Sequence, residues 1–316
     1  MKAMVTSPGR ARRRRWILPA VLALAVLAGG LLFVNRRHVL PTPEQCHFAT
    51  AAGEMVLEPE EASNAAVITA VAHSRRLPER AVTIALATAL QESHLKNLEG
   101  GDRDSVGLFQ QRPSQGWGTA KQIADPVYTT NKFFDGLVKV PGYSRLPLTE
   151  AAQAVQKSGF PQAYAKHETD ATVIAGALSG REAASMGCTV TSAAPVAAAS
   201  PQTGKDGLTE GARRVSAQVK RDFARTVAVR TVPSGDGRAL ELVPAGKAAA
   251  GASSGTAGRD GWVVAHWAVA RAAELGITSV VYDGQEWRTG SSTGGWQPYR
   301  GTAAPAAGGV LVTAGG

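Results

Sequence analysis

From Trp16 to Val34 the chain carries no charge. An uncharged run of about nineteen residues just reaches the length that crosses a hydrocarbon core as a helix. Lys2, Arg10 and the run Arg12 to Arg15 precede it, and Arg36 and Arg37 follow. A cleaved signal peptide is the alternative. However, the stretch is long for a signal core, and Val34-Asn35-Arg36-Arg37 lacks the small residues of a cleavage site. The expectation is therefore an uncleaved anchor. The larger basic cluster lies before the span, which keeps the N-terminus in the cytoplasm. This makes a single-pass protein of the cytoplasmic membrane, held by residues 16–34, with the bulk of its chain extracytoplasmic.

The anchor changes how the charge is read. The chain is +9 overall, yet residues 1–37 hold eight basic residues and no acidic one. The remainder is close to neutral and has no basic stripe interleaved with aromatics, so no nucleic-acid partner is expected. Two cysteines, Cys46 and Cys188, complete the covalent inventory. Outside the cytoplasm such a pair is expected to form one disulfide. They bracket a single segment and are too few and too far apart for a zinc site.

Residues 1–37 are thus a cytoplasmic tail and anchor. Residues 38–60, with Pro41, Pro43 and Pro59, read as a stalk. Residues 61–188 are mostly helical in pattern, with helices expected over 61–75, 79–95, 125–139, 148–158 and 161–178. The second of these is apolar nearly all round, which places it in the core. Residues 102–118, rich in Gly, Ser and Pro, read as a loop with a short hairpin. Residues 189–207 are an Ala/Ser/Pro/Thr/Gly linker. Over 208–302 helix and strand patterns alternate in the order α-β-β-α-β-β, an α+β domain. Residues 303–316 read as a disordered, low-complexity tail.

The chemistry concentrates at the end of the apolar helix, in Thr88-Ala89-Leu90-Gln91-Glu92-Ser93-His94. A carboxyl there, facing a cleft, has its charged form disfavoured and can donate a proton near neutral pH. Taken alone, Glu92 reads better as an ordinary exposed residue of the last turn, since Glu is usually exposed. A second motif follows a turn-rich loop: Ser105-Val106-Gly107-Leu108-Phe109-Gln110-Gln111, then Pro113 and Trp117. A third runs from Ala151 to Phe160 and on to Ala163-Tyr164.

An "ES" pair closing an apolar helix, followed by "S-x-G-L-F-Q", resembles the soluble lytic transglycosylases and goose-type lysozymes over roughly residues 62–178. The resemblance implies Glu92 as catalytic acid/base and Ser105 and Gln110 as sugar-binding cleft residues. It also implies Gln156 as a cleft polar residue, where the family often has asparagine, and Tyr164 as a cleft aromatic. Hydrolysis of a glycoside ordinarily needs a second carboxylate. The lytic reaction implied by the resemblance needs only one, because a sugar hydroxyl attacks and a 1,6-anhydro end forms. Asp102 and Asp104 are the nearest candidates for positioning a water.

Gly237 to Leu242, Trp262 to Tyr282 and Trp287 to Trp296 resemble a domain related to zinc D-Ala-D-Ala peptidases. Those carry "H-x-x-G-x-A-x-D" and a final "H-x-H". Here Ser234 and Glu241 stand at the first His and Asp positions, and Gly309-Val310-Leu311-Val312 replaces the last motif. A zinc site needs about three protein ligands, so this region reads as a degenerate, metal-free relative, and no cofactor is expected.

The expected architecture is a mainly α lysozyme-like domain plus a small α+β C-terminal domain, behind one N-terminal transmembrane helix. The expected activity is cleavage of peptidoglycan glycan strands. The alternative is a non-catalytic wall-binding or envelope scaffold protein. A transporter component is disfavoured by the single span without an intramembrane ionisable residue.

Overall fold

Alternation of inward Cys46 and Phe48 with outward His47 and Ala49 makes a strand of Gln45–Thr50 (β1). It returns through a tight turn as Gly53–Leu57 (β2), in antiparallel register from Cys46 opposite Leu57 to Thr50 opposite Gly53. The computed structural model describes residues 43–191, 202–232, 236–245, 256–291, 293–302 and 305–315. The expected tail and anchor lie outside these residues. Among the described residues no helix is long and apolar enough to cross a membrane. The stalk expected over 38–60 is corrected from Gln45 onward. Pro43 and Pro59 flank a hairpin whose inward side chains, Cys46, Phe48 and Leu57, pack into the core.

Pro59–Ser74 (α1) begins at a reciprocal cap, in which Glu58 and Glu61 each satisfy the other's backbone N–H. Its Ala- and Val-rich body is buried from Ala62 to Ala72. Glu79–Ser93 (α2) is buried from Ala81 to Leu90 and ends at His94 in the left-handed conformation. The short Ala120–Ile123 (α3) and Pro126–Leu137 (α4) follow, the latter capped by Asp125, whose carboxylate accepts from the Val127 amide at 2.9 Å. Then come Leu148–Gln156 (α5), a 3-10 segment Pro161–His167 and Glu168–Leu178 (α6). The helix expected over 161–178 is therefore two elements. Met186–Thr189 (β3) closes this half by pairing with β1, giving the order β2-β1-β3. Cys46 and Cys188 face each other across that pair and are bonded.

The second half is a helix-backed antiparallel sheet. Glu210–Asp222 (α7) precedes Val227–Thr231 (β4) and Ala239–Pro244 (β5). Thr256–Ala270 (α8) and Ala272–Leu275 (α9) lead to Ile277–Tyr282 (β6), Gln285–Arg288 (β7), Gln297–Pro298 (β8) and Val310–Ala314 (β9). The sheet order is β4-β5-β9-β6-β7-β8. The tail expected to be disordered over 303–316 thus supplies a central strand. Val310 and Val312 are buried between β5 and β6, and that burial outweighs the small-residue composition around them.

Residues 43–316 pack as one compact unit, and one apolar cluster runs through both halves. The seam is dense with donors that meet buried carbonyls. The indole of Trp287 donates to Cys188 O at 3.0 Å and that of Trp296 to Met186 O at 2.7 Å. His266 Nδ1 meets Ala177 O at 2.8 Å. Arg259 donates to Ser179 O and pairs with Glu79, at the start of α2, at 2.6 Å. Gly187 is required here, since a Cβ on it would stand 2.1 Å from Gly294 O. The two expected domains therefore share one core.

Candidate active site

The last turn of α2 delivers Gln91, Glu92 and Ser93 to three different neighbours. Ser93 is buried, and its hydroxyl lies 2.7 Å from Leu108 O and 3.1 Å from Ala89 O. It binds the second sequence motif to the end of the helix. Gly107 lets that turn approach: it has φ +77°, and a Cβ would meet Ile123 O at 2.7 Å. Phe109 stacks on Phe133 with centroids 4.7 Å apart, which fixes the turn from below.

Glu92 is half-buried, and its Oε1 accepts from the Tyr164 hydroxyl at 2.8 Å. Burial raises its pKa, while the Tyr164 hydroxyl and the Gln156 amide favour the anion and offset part of that rise. The direct hydrogen bond of Gln156 goes to Phe109 O, at 2.7 Å. Gln156 thus joins α5, the second motif and the neighbourhood of Glu92. Tyr164 is fully buried, so it holds the acid instead of offering a face to a ligand. Burial, then the Glu92 charge, pushes its own ionisation well above the ordinary tyrosine range.

Gln91, one residue before the acid, meets His167 Nε2 at 3.3 Å. In a 3-10 segment, side chains three apart eclipse. Tyr164 and His167 therefore form adjacent rungs that fasten the segment along the end of α2. Gln91 and His167 carry no signal in the sequence motifs, although the three-residue spacing of Tyr164 and His167 in a 3-10 segment points to them.

The remaining expected site residues stand in the loop. Ser105 is buried, with its amide on Asp102 O at 3.1 Å, and Gln110 has φ 45° with its side-chain amide on Gly107 O at 3.1 Å. Their bonds run within their own turn. Asp104 is occupied on both oxygens, by Arg112 Nε at 2.6 Å, the Ser114 amide at 2.8 Å and the Ser114 hydroxyl at 3.0 Å. Those donors, the Arg112 bond foremost, hold its carboxyl far below the usual carboxylate range. Asp102 is exposed beside Arg103.

In the second half, Glu241 lies opposite Leu311 in the β5–β9 register, and its Oε1 is 2.7 Å from where a Cβ of Gly309 would stand. Residues 204–308 match the model of the VldE C-terminal domain, a family tied to a D-Ala-D-Ala peptidase-like domain. No curated protein matches the chain. Of the positions at which the sequence resemblance leads one to expect ligands, Glu241 lies on β5 opposite Leu311 of β9, and Gly309 stands just before β9. Glu241 accepts from the Ala306 amide at 2.6 Å and pairs with Arg230 at 3.7 Å. Ser234 lies outside the described residues. His266 is enclosed by Trp262 and Trp296, and burial lowers its pKa to about 4, which keeps it neutral. Among the described residues, no group of three or more His, Cys, Asp or Glu side chains could hold a metal ion.

Proposed function

We propose that this chain cleaves peptidoglycan glycan strands by the lytic route, through a lysozyme-like helical region, on the extracytoplasmic side of the cytoplasmic membrane. The observation that carries the reading is Glu92: a half-buried carboxyl at a helix end, its pKa raised by burial, oriented by a buried tyrosine hydroxyl. A protonated carboxyl so placed donates its proton to the glycosidic oxygen as the C–O bond breaks. The carboxylate left behind then accepts the proton of the sugar's own 6-hydroxyl as that oxygen closes on the anomeric carbon. One carboxyl thus serves both steps. Asp104, one of the two alternatives for water activation, is committed to Arg112 and Ser114, which favours the one-carboxyl route over hydrolysis through it.

The C-terminal half supports α2 by way of Arg259 of α8 and Glu79 and, on this reading, is a metal-free module of the envelope protein. Incubating the detergent-solubilised full chain with purified peptidoglycan, and weighing the released muropeptides by mass spectrometry, tests the reading. Products ending in 1,6-anhydro sugars are expected. Reducing ends would indicate hydrolysis, and glycan binding without release would indicate a scaffold.

A further inference from the structure

A cavity of about 540 Å³ lies between the halves, walled by α1 and the start of α4 on one side and by α7 and α9 on the other. It shares no residue with the surroundings of Glu92. Its size is that of a ligand site, and seams between packed regions are where such sites concentrate. Pro59, Val67, Pro126, Val127 and Ala273 give it an apolar wall. Its polar lining is built into the fold, since Ser63, Asn64 and Arg271 are only 6%, 7% and 3% exposed.

These polar groups spend their donors on the protein itself. The Ser63 hydroxyl donates to Glu274 Oε2 at 2.7 Å, the Asn64 amide nitrogen to Leu95 O at 2.7 Å and the Gln218 amide nitrogen to Asp222 Oδ1 at 3.0 Å. Arg271 is committed to Asp222 and Glu274, and Arg221 to Asp125, the cap of α4. What they leave for a ligand is chiefly acceptors: the amide oxygens of Asn64 and Gln218 and the remaining lone pairs of Glu274. Glu60 adds an exposed carboxylate. It accepts a long bond from the Asn97 amide at 3.4 Å, and the neighbouring Lys96 is held by Glu58 and Glu61. The charged lining residues and their ion-pair partners comprise four carboxylates, Glu60, Asp125, Asp222 and Glu274, against two guanidinium groups, Arg221 and Arg271.

We propose that this cavity binds the ammonium-bearing side chain of a short peptide, a lysine or another diamino acid. An ammonium has three donors and no acceptor, which matches the carboxylates of Glu60 and Glu274. Its methylene stem lies along the apolar wall, and the flanking peptide N–H groups meet the amide oxygens. A free diamine carries the same charge but fills too little of the volume, and an anionic ligand would meet the excess of carboxylates. The site is independent of the glycan reading.

Calorimetry on the detergent-solubilised full chain tests this with acetyl-lysyl-alanine amide, its norleucyl and glutamyl counterparts, and cadaverine. The lysyl peptide should bind roughly 5- to 10-fold tighter than the norleucyl one, with the glutamyl peptide weakest and cadaverine weaker than the lysyl peptide. Glu60 is exposed, so Glu60→Gln keeps the fold; it should weaken the lysyl peptide about 3- to 10-fold and leave the norleucyl peptide unchanged. Ala273→Leu, which fills the cavity from α9, should abolish binding at an unchanged thermal midpoint. The proposal is overturned if the lysyl peptide does not bind, or if the norleucyl or glutamyl peptide binds as tightly. Cadaverine binding as tightly as the lysyl peptide overturns it too, as do Glu60→Gln and Ala273→Leu proteins that bind like the parent.

Discussion

Replacing Cys46 and Cys188 together by alanine removes a cross-link that spans 142 residues of sequence. In the chain-entropy model, a loop of that length constrains the unfolded state by about 5 kcal/mol at 25 °C. The native state loses little besides, because β1 and β3 keep their ladder and the indoles of Trp287 and Trp296 still hold β3. Both sulfurs are buried, so alanine adds a small packing loss on the order of 1 kcal/mol. The expected total is roughly 4–6 kcal/mol, or about 8–20 °C in thermal midpoint for a unit of this size. Urea titration of the oxidised parent, the reduced parent and the double variant separates the terms. The reduced parent should lose most of what the variant loses, with a steeper denaturant dependence as the freed chain expands. A loss below about 1 kcal/mol in both would refute the reasoning.

Tyr164→Phe removes a donor that favours the Glu92 anion. The acid should stay protonated to higher pH, so the alkaline limb of the pH–rate profile should move upward. A limb that stays put, or falls, contradicts the assigned contact. Burial raises the folded pKa of Glu92 above its ordinary value near 4.5, so parent stability should fall as pH rises through the folded value. Glu92→Gln should therefore be the more stable protein at neutral pH, with the advantage fading below about pH 4.5, as read from melting curves across pH. Metal analysis of the purified chain should find no stoichiometric zinc, since Gly309 and Leu311 offer no donor side chain beside Glu241. One tightly held zinc per chain would mean that other residues form a site.

The buried helix around Leu86 and the cysteine pair were legible in sequence because each depends on local pattern or on compartment. The half-burial of Glu92 and the upward push on its pKa follow from its place at the end of a buried helix, which local pattern makes visible. The hairpin at Gln45–Leu57 was not, because two inward residues over a short strand leave little periodic signal beside three prolines. The strand Val310–Ala314 was hidden by flanking Gly and Ala, and only pairing on both edges makes it a core element. Tyr164 was visible as a residue, while its burial and the exposure of Phe160 are tertiary properties that no local pattern encodes. The shared core also lay beyond the sequence, since linker composition marks a change of region without saying whether the regions touch.

The central claim is that the Glu92 proton breaks the glycan strand. Muropeptide release by the full chain and by Glu92→Gln, at matched folding and matched glycan affinity, measures it directly. General acid catalysis contributes about 10²–10⁴-fold in rate. The account predicts a fall of at least 100-fold with binding retained, and 1,6-anhydro ends on the parent's products. A Glu92→Gln protein as active as its parent would contradict it.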